Sequence, residues 1–138
     1  MGYYVLKGTN KLRIFAACIL LSLLSLITHT SIAQEKLFTQ ASCTIVYSLK
    51  RSANKYFNDE ISQLKAQINK HNIHFIDLNS WNKMSPHVEV SGRLRNQIRQ
   101  QYDLESNMNQ AIVVNKQGHI LSRYNGSVTL VNALIDCH

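Results

Sequence analysis

The sequence is poor in the residues that build thiol, phosphate and metal centres. Its 138 residues include three cysteines, five glycines, one proline and one tryptophan. No two cysteines are separated by two residues, which excludes an adjacent dithiol centre. The glycines lie mostly in turns or in the leader, so no Gly-rich phosphate loop, nucleotide-binding loop or Gly-x-Ser-x-Gly elbow is present. His71 and His74 are three apart but straddle a predicted helix end and a strand. His87, His119 and His138 are scattered, and no Cys/His spacing resembles a zinc site. Neither a metal nor a cofactor is expected. A Ser/His/Asp arrangement has the residue types available, but nothing marks one. Acidic residues are few, 8 against 15 basic ones.

The amino-terminal end follows a different pattern. Lys7, Lys11 and Arg13 open it, Ile14 to Ile27 run apolar, and Ser31 and Ala33 are spaced like the −3 and −1 positions of a cleavage site. That is a secretory leader over residues 1–33. Its apolar run falls short of the roughly 20 residues a membrane helix needs. The competing reading is an anchor that is never removed. Without Lys7, Lys11 and Arg13, 12 basic residues face 8 acidic ones, and the formal charge falls from +7 to +4. Much of the basicity therefore belongs to the leader, and nucleic acid is not an expected partner. Once the leader is removed, no membrane association is expected. Export to the periplasm is the first expectation and release to the medium the second. Two cysteines would remain, Cys43 and Cys137, and an even pair in an exported chain is most simply a disulfide. Free buried thiols and a link between two chains compete with it.

The mature chain reads as one domain over residues 43–138 after a short polar lead-in, 34–42. Cys43 to Leu49 is β-branched and aromatic, a buried strand. Lys50 to Lys55 is polar and basic, a loop. Phe57, Ile61, Leu64 and Ile68 form one apolar stripe, which predicts a helix over 58–71 capped by Asn58. Asp59 and Glu60 would stand in its first turn. Asn72 to Leu78 is a second strand, with Ile73 and Phe75 on one face and His74, Ile76 and Leu78 on the other. Asn79 to Val90 holds the one proline and no stripe, a long connecting loop. A helix over Gly92 to Tyr102, capped by Ser91, buries Leu94, Ile98 and Tyr102 and turns Arg93, Arg95 and Arg99 outward or along its edge. A strand over 110–115, a turn at Gly118 and a returning strand over 119–124 make a hairpin. After a turn at Asn125-Gly126, Ser127 caps a last helix burying Val128, Val131, Leu134 and Ile135.

The element order is β-α-β-α-β-β-α, a parallel βαβ unit followed by a hairpin and a closing helix. This is the order of the thioredoxin-like core, an α/β fold with a four-stranded mixed sheet flanked by helices. Residues 93–138 resemble the end of a small family of exported, thioredoxin-like bacterial proteins of uncharacterised function. The matching pieces are Leu94-Arg95 with Tyr102, Lys116-Gln117-Gly118, and Leu134-Ile135-Asp136. In such a fold Cys43 begins the first strand and Cys137 ends the last helix at the same end of the domain, within disulfide reach.

The resemblance also says where redox chemistry would sit. The Cys-x-x-Cys of a thioredoxin lies at the top of the first strand, where this chain has Lys50 to Lys55. The proline that precedes the hairpin is missing as well, because Pro86 comes about twenty residues too early. The expectation is a binding or structural module of the bacterial envelope, not an enzyme, with an envelope protein as partner. Its contact surface would be the upper loops, with Lys50, Arg51 and Lys55 in one and Trp81, Met84 and His87 in the other. The plainer alternatives are a solvated basic face and a tryptophan covering the core edge. Two rivals stand beside it: a degenerate thiol–disulfide oxidoreductase using Cys43 and Cys137, and a small secreted effector or conjugation-associated factor.

Overall fold

The computed structural model describes residues 36–79, 81 and 86–137. All of them belong to the unit Glu35–His138. The leader and Met84 lie outside the described residues.

β1 (Cys43–Ser48) is the centre of the sheet and is buried along its whole length. Its residues face apolar layers on both sides, so it reads as a continuous hydrophobic run. β2 (Ile73–Asp77) pairs with it in parallel, Ile45 opposite Phe75. On its other edge β1 pairs antiparallel with β3 (Gln110–Asn115), Ile45 opposite Val113. β4 (Ile120–Asn125) closes the hairpin, with a register shift at Val113/Val114. The strand order β2-β1-β3-β4 with these directions is thioredoxin-like. The parallel pair requires a crossover, which α1 (Arg51–Gln63) and α2 (Lys65–Lys70) supply.

Alternation along the strands splits the core in two. Ile45, Tyr47, Phe75 and Val113 point to a layer completed by Phe57, Ile61 and Ile68 of the crossover and by Leu130 and Ala133 of α4 (Leu130–Ile135). Val46, Ile76, Ile112 and Val114 point to the other, completed by Ile98 and Tyr102 of α3 (Gly92–Tyr102). α3 starts where Ser91 accepts the Leu94 N–H, as its spacing predicted. Gly118 and Gly126 have φ of 81° and 84°, the left-handed values their turns require.

Four expectations are corrected. The lead-in belongs to the domain. Residues 36–39 form a helical turn, and Phe38, only 2% exposed, enters the second layer edge-on to Tyr102. A single apolar residue in a polar stretch has no period to reveal it.

The first helix begins at Arg51, not Asn58, so Lys50–Lys55 is mostly helix. Lys50, extended at φ −62° and ψ 153°, is the residue before it, and its side chain makes no capping bond. Asn58 lies inside the helix, where its amide donates to the Asn54 carbonyl (2.6 Å) and side-chain oxygen (2.9 Å). Asp59 and Glu60 are therefore two turns in. The apolar stripe had extended back one turn through Ala53, which packs against the core but is too small to announce it. The helix breaks at Leu64 and ends in Asn72, whose φ of 52° asparagine tolerates.

The last helix starts at Leu130 rather than after Ser127, and Thr129 precedes it without a capping bond. Glu60 supplies an acceptor from the crossover instead, taking the Leu130 N–H at 3.3 Å. The later start turns the stripe. Leu130 and Ala133 are buried, Val128, Leu134 and Cys137 pack against them, and Val131 and Ile135 are exposed.

Finally, Pro86 to Val88 run beside the outer edge of β2. The Phe75 N–H donates to the Pro86 carbonyl (3.2 Å) and the Val88 N–H to the Phe75 carbonyl (2.7 Å). Part of the expected loop thus covers a sheet edge that would otherwise present open backbone groups.

Candidate functional site

In an open α/β sheet, ligands bind beyond the carboxyl ends of parallel strands. β1 and β2 both end toward the start of α1, and an open groove of ≈ 1100 Å³ lies there. Arg51, Ser52, Asn54, Lys55, Asn58, Asp59 and Trp81 line it. The chain reaches this place for local reasons. β1 passes directly into α1, so Arg51 and Lys55 follow the strand end by a few residues. Asp77, the last residue of β2, accepts the Asn79 N–H (2.8 Å) on one oxygen and the Trp81 N–H (3.1 Å) on the other. This Asx-type turn fixes the backbone at Trp81. Asn79 in turn donates its amide to the Leu49 carbonyl at 2.8 Å, tying the end of β2 to that of β1.

The indole of Trp81 is 48% exposed. The first turn of α1 contains no acidic residue and gains no capping side chain. Positive charge collects there, where the helix dipole favours negative charge.

A chain of polar groups leads inward from the groove. Asn54 is buried, and Asn58 donates to it. The Asn58 side-chain oxygen lies 3.4 Å from the Tyr47 hydroxyl, and that hydroxyl lies 2.7 Å from His87 Nε2. Tyr47 is fully buried, its ring tilted against Phe57 at 4.9 Å. A proton on Nε2 satisfies every member in one direction: His87 donates to Tyr47, Tyr47 to Asn58, and Asn58 to Asn54. His87 thus holds its segment against the core and lies outside the groove lining. It lines a smaller hollow of ≈ 350 Å³ at the β2 edge, together with His74. The two histidines make no ligand pair: His87 packs on Phe75 in one layer, whereas His74 alternates with Phe75 onto the other face. Burial lowers the His74 pKa, because desolvation disfavours the charged ring. Among the described residues no group of three or more His, Cys, Asp and Glu could hold a metal.

Arg99 departs most from the sequence-based expectation. Instead of standing as a solvated charge outward or along the helix edge, its guanidinium reaches over the ends of β1 and β2. It donates to Ser48 Oγ (3.1 Å), the Leu78 carbonyl (3.1 Å) and Asn79 Oδ1 (2.7 Å). Ser48 passes the connection on to the Glu105 carbonyl at 3.0 Å. Burial lowers the Arg99 pKa, nearby Asp77 opposes that, and Arg95 adds to it. The side chain stays charged and acts as a clasp beneath the site. Arg99→Ala is expected to cost about 2–3 kcal/mol, because charge-assisted bonds are lost and half-buried acceptors are left behind. Arg99→Lys recovers only part of that, since an ammonium lacks the planar fork. Urea unfolding reads both; a loss below about 0.5 kcal/mol, typical of a surface change, would contradict the clasp.

The cysteines lie elsewhere. Cys43 and Cys137 form a disulfide with Cα atoms 5.5 Å apart. It sits at the start of β1, whereas the groove lies past its end. Of the expected contact residues, Arg51, Lys55 and Trp81 come together in the groove. Lys50 is exposed beside it, with its N–H donating to Asn109 Oδ1 at 2.7 Å, and His87 stands behind. Sequence reasoning missed Asn54, Asn58, Asp77 and Arg99. Only Asp77, a carboxylate closing an apolar strand, left a local signal.

No family model matches the chain, and no curated protein matches it. Solved structures with a similar course of chain include a peroxiredoxin Q of Xanthomonas campestris, at 7% identity and TM-score 0.48, over 71% of this chain and 77% of that one. Another is a bacterioferritin comigratory protein of Xanthomonas campestris, at 8% identity and TM-score 0.39, over 73% and 79% of the two chains. Likeness at this level concerns the path of the backbone and leaves the chemistry to the residues of the site.

Proposed function

We propose that this domain is a binding module of the bacterial envelope without thiol chemistry, and that the groove between α1 and Trp81 is its contact surface. The observation that carries the reading is the groove itself. An exposed tryptophan and the cations Arg51 and Lys55 surround an open space at the carboxyl ends of the parallel strands. The position that holds a dithiol in a thioredoxin holds Lys50 to Lys55 here, and the Cys43–Cys137 bond lies at the other end of β1 with Cys43 only 2% exposed. The oxidoreductase reading is disfavoured on that ground.

The leader pattern of residues 1–33 supports export, with cleavage after Ala33 and the periplasm as destination. The resemblance of residues 93–138 to an exported thioredoxin-like bacterial family supports the same compartment. An envelope protein is the partner this reading implies, and no cofactor is needed.

The test is affinity capture from envelope extract with the mature protein and with a Lys55→Glu, Trp81→Ala variant. The expected result is a partner retained by the first and lost by the second, at equal melting temperature. The same partner on both, or none on either, rejects the groove as the contact surface. Insulin reduction by the mature protein would restore the oxidoreductase.

A further inference from the structure

Resting on the groove as the contact surface, we infer that it takes an extended polypeptide segment with charges in the order acidic–x–acidic–x–basic. Three observations support this. First, the groove is open and large, ≈ 1100 Å³, which suits a run of chain rather than an enclosed small molecule.

Second, its charges follow an ordered row. Arg51, Lys55 and Asp59 all line it and stand four residues apart on α1. Residues at i and i+4 share a helix face, and at 1.5 Å per residue they rise about 6 Å apart along the axis. Alternate residues of an extended chain are about 6.6 Å apart on one face. A strand lying along α1 therefore meets the row in register, presenting a carboxylate to Arg51, a carboxylate to Lys55 and a cation to Asp59. The last member gives direction, because a third carboxylate would face Asp59 and be repelled.

Third, Trp81 lines the same groove with an exposed ring, its backbone N–H fixed by Asp77. Such a ring covers apolar or aromatic side chains of a bound segment at low entropic cost. Asn54 and Asn58 belong to the floor, where hydrogen bonds within the domain already engage them. Specificity on this surface comes from the charges and the indole.

Trp81 is the chain's single tryptophan, so fluorescence excited at the red edge, where the six tyrosines do not absorb, reports on the groove. The blocked peptide EVETK is titrated against the charge-inverted KVKTE, and a ten-nucleotide oligothymidylate serves as a competing class of anion. The mature protein should give a saturable change with EVETK, at least tenfold weaker with KVKTE, and weaker still as salt rises. An Arg51→Glu, Lys55→Glu, Asp59→Lys variant that melts like the parent should exchange the preference.

Equal response to both peptides overturns the charge order while leaving the groove a binding site. Tighter response to the oligothymidylate overturns the peptide as occupant. Silence toward both peptides, with the envelope partner still captured through Lys55 and Trp81, overturns this inference and spares the proposed function. Silence together with no captured partner overturns both.

Discussion

Reducing the Cys43–Cys137 bond, or replacing Cys137 by serine, is expected to lower the melting temperature by more than about 10 °C. The bond closes 94 residues of sequence. In the chain-entropy view a loop of that size restricts the unfolded chain by about 4–5 kcal/mol, and measured effects more often fall at 2–4. A domain of this size has roughly 5–15 kcal/mol in all. With about 3 kcal/mol lost and 4–8 °C per kcal/mol, the shift exceeds that threshold. The bond also has local work. α4 has six residues, far below the length at which a helix stands alone, and two of its large apolar side chains, Val131 and Ile135, face solvent. Leu130, Ala133, Leu134 and Cys137 hold it to the sheet, and the last of these is covalent. Loss should therefore first be seen as increased amide exchange in α4, with β1 and β3 protected until global unfolding. Thermal melts with and without a phosphine reductant decide the matter. A shift under about 3 °C would falsify a stabilising role.

Phe38→Ala is expected to cost about 3–5 kcal/mol, the range for removing a buried phenylalanine. The residue lies five positions before the start of β1 and within a polar stretch, yet it is 2% exposed and meets Tyr102 with ring centroids 6.1 Å apart. Its layer includes Val46, Ile76, Ile98 and Ile112, all fully buried, so the space it leaves is a cavity in a close-packed layer. Phe38→Leu should retain most of the stability, and Thr39→Ala, at an exposed position, should change little. A chain beginning at Cys43 should be destabilised like the alanine variant. Denaturant unfolding separates these outcomes; a loss below about 1 kcal/mol for Phe38→Ala would mean that the domain begins at β1.

The parts that were legible in the sequence are those in which signal and cause lie close together. α3 has its cap, Ser91, and its stripe, Ile98 and Tyr102, within a dozen residues. The hairpin turn at Gly118 and the turn after β4 at Gly126 are written in the one residue that takes positive φ without strain. The parts that were not legible have distant causes. α1 starts about two turns early, and Ala53 in the added stretch packs against a core assembled from other elements. α4 starts late, and its first N–H meets a carboxylate seventy residues upstream.

The candidate site divides the same way. Arg51, Lys55 and Trp81 were visible as two groups of suggestive residues in two loops. Their union in one groove depends on β1 and β2 being parallel neighbours and on Asp77 turning the chain after β2. Arg99 was read as a surface charge because a helix-face position says nothing about acceptors twenty to fifty-one residues away.

Sequence by itself determined the order of elements, the buried character of β1, the hairpin turns and the pair of cysteines available for bonding. Those depend on backbone preference and on the period of apolar residues, which act over one or two turns of chain. Tertiary structure alone decided which polar groups converge: the Arg99 clasp, the chain from Asn54 to His87, the Glu60 acceptor for α4, and the meeting of the α1 charges with Trp81 in one groove. Hydrogen bonds and charges act through space at about 3 Å, and only the packed sheet brings residues so far apart in sequence to that distance.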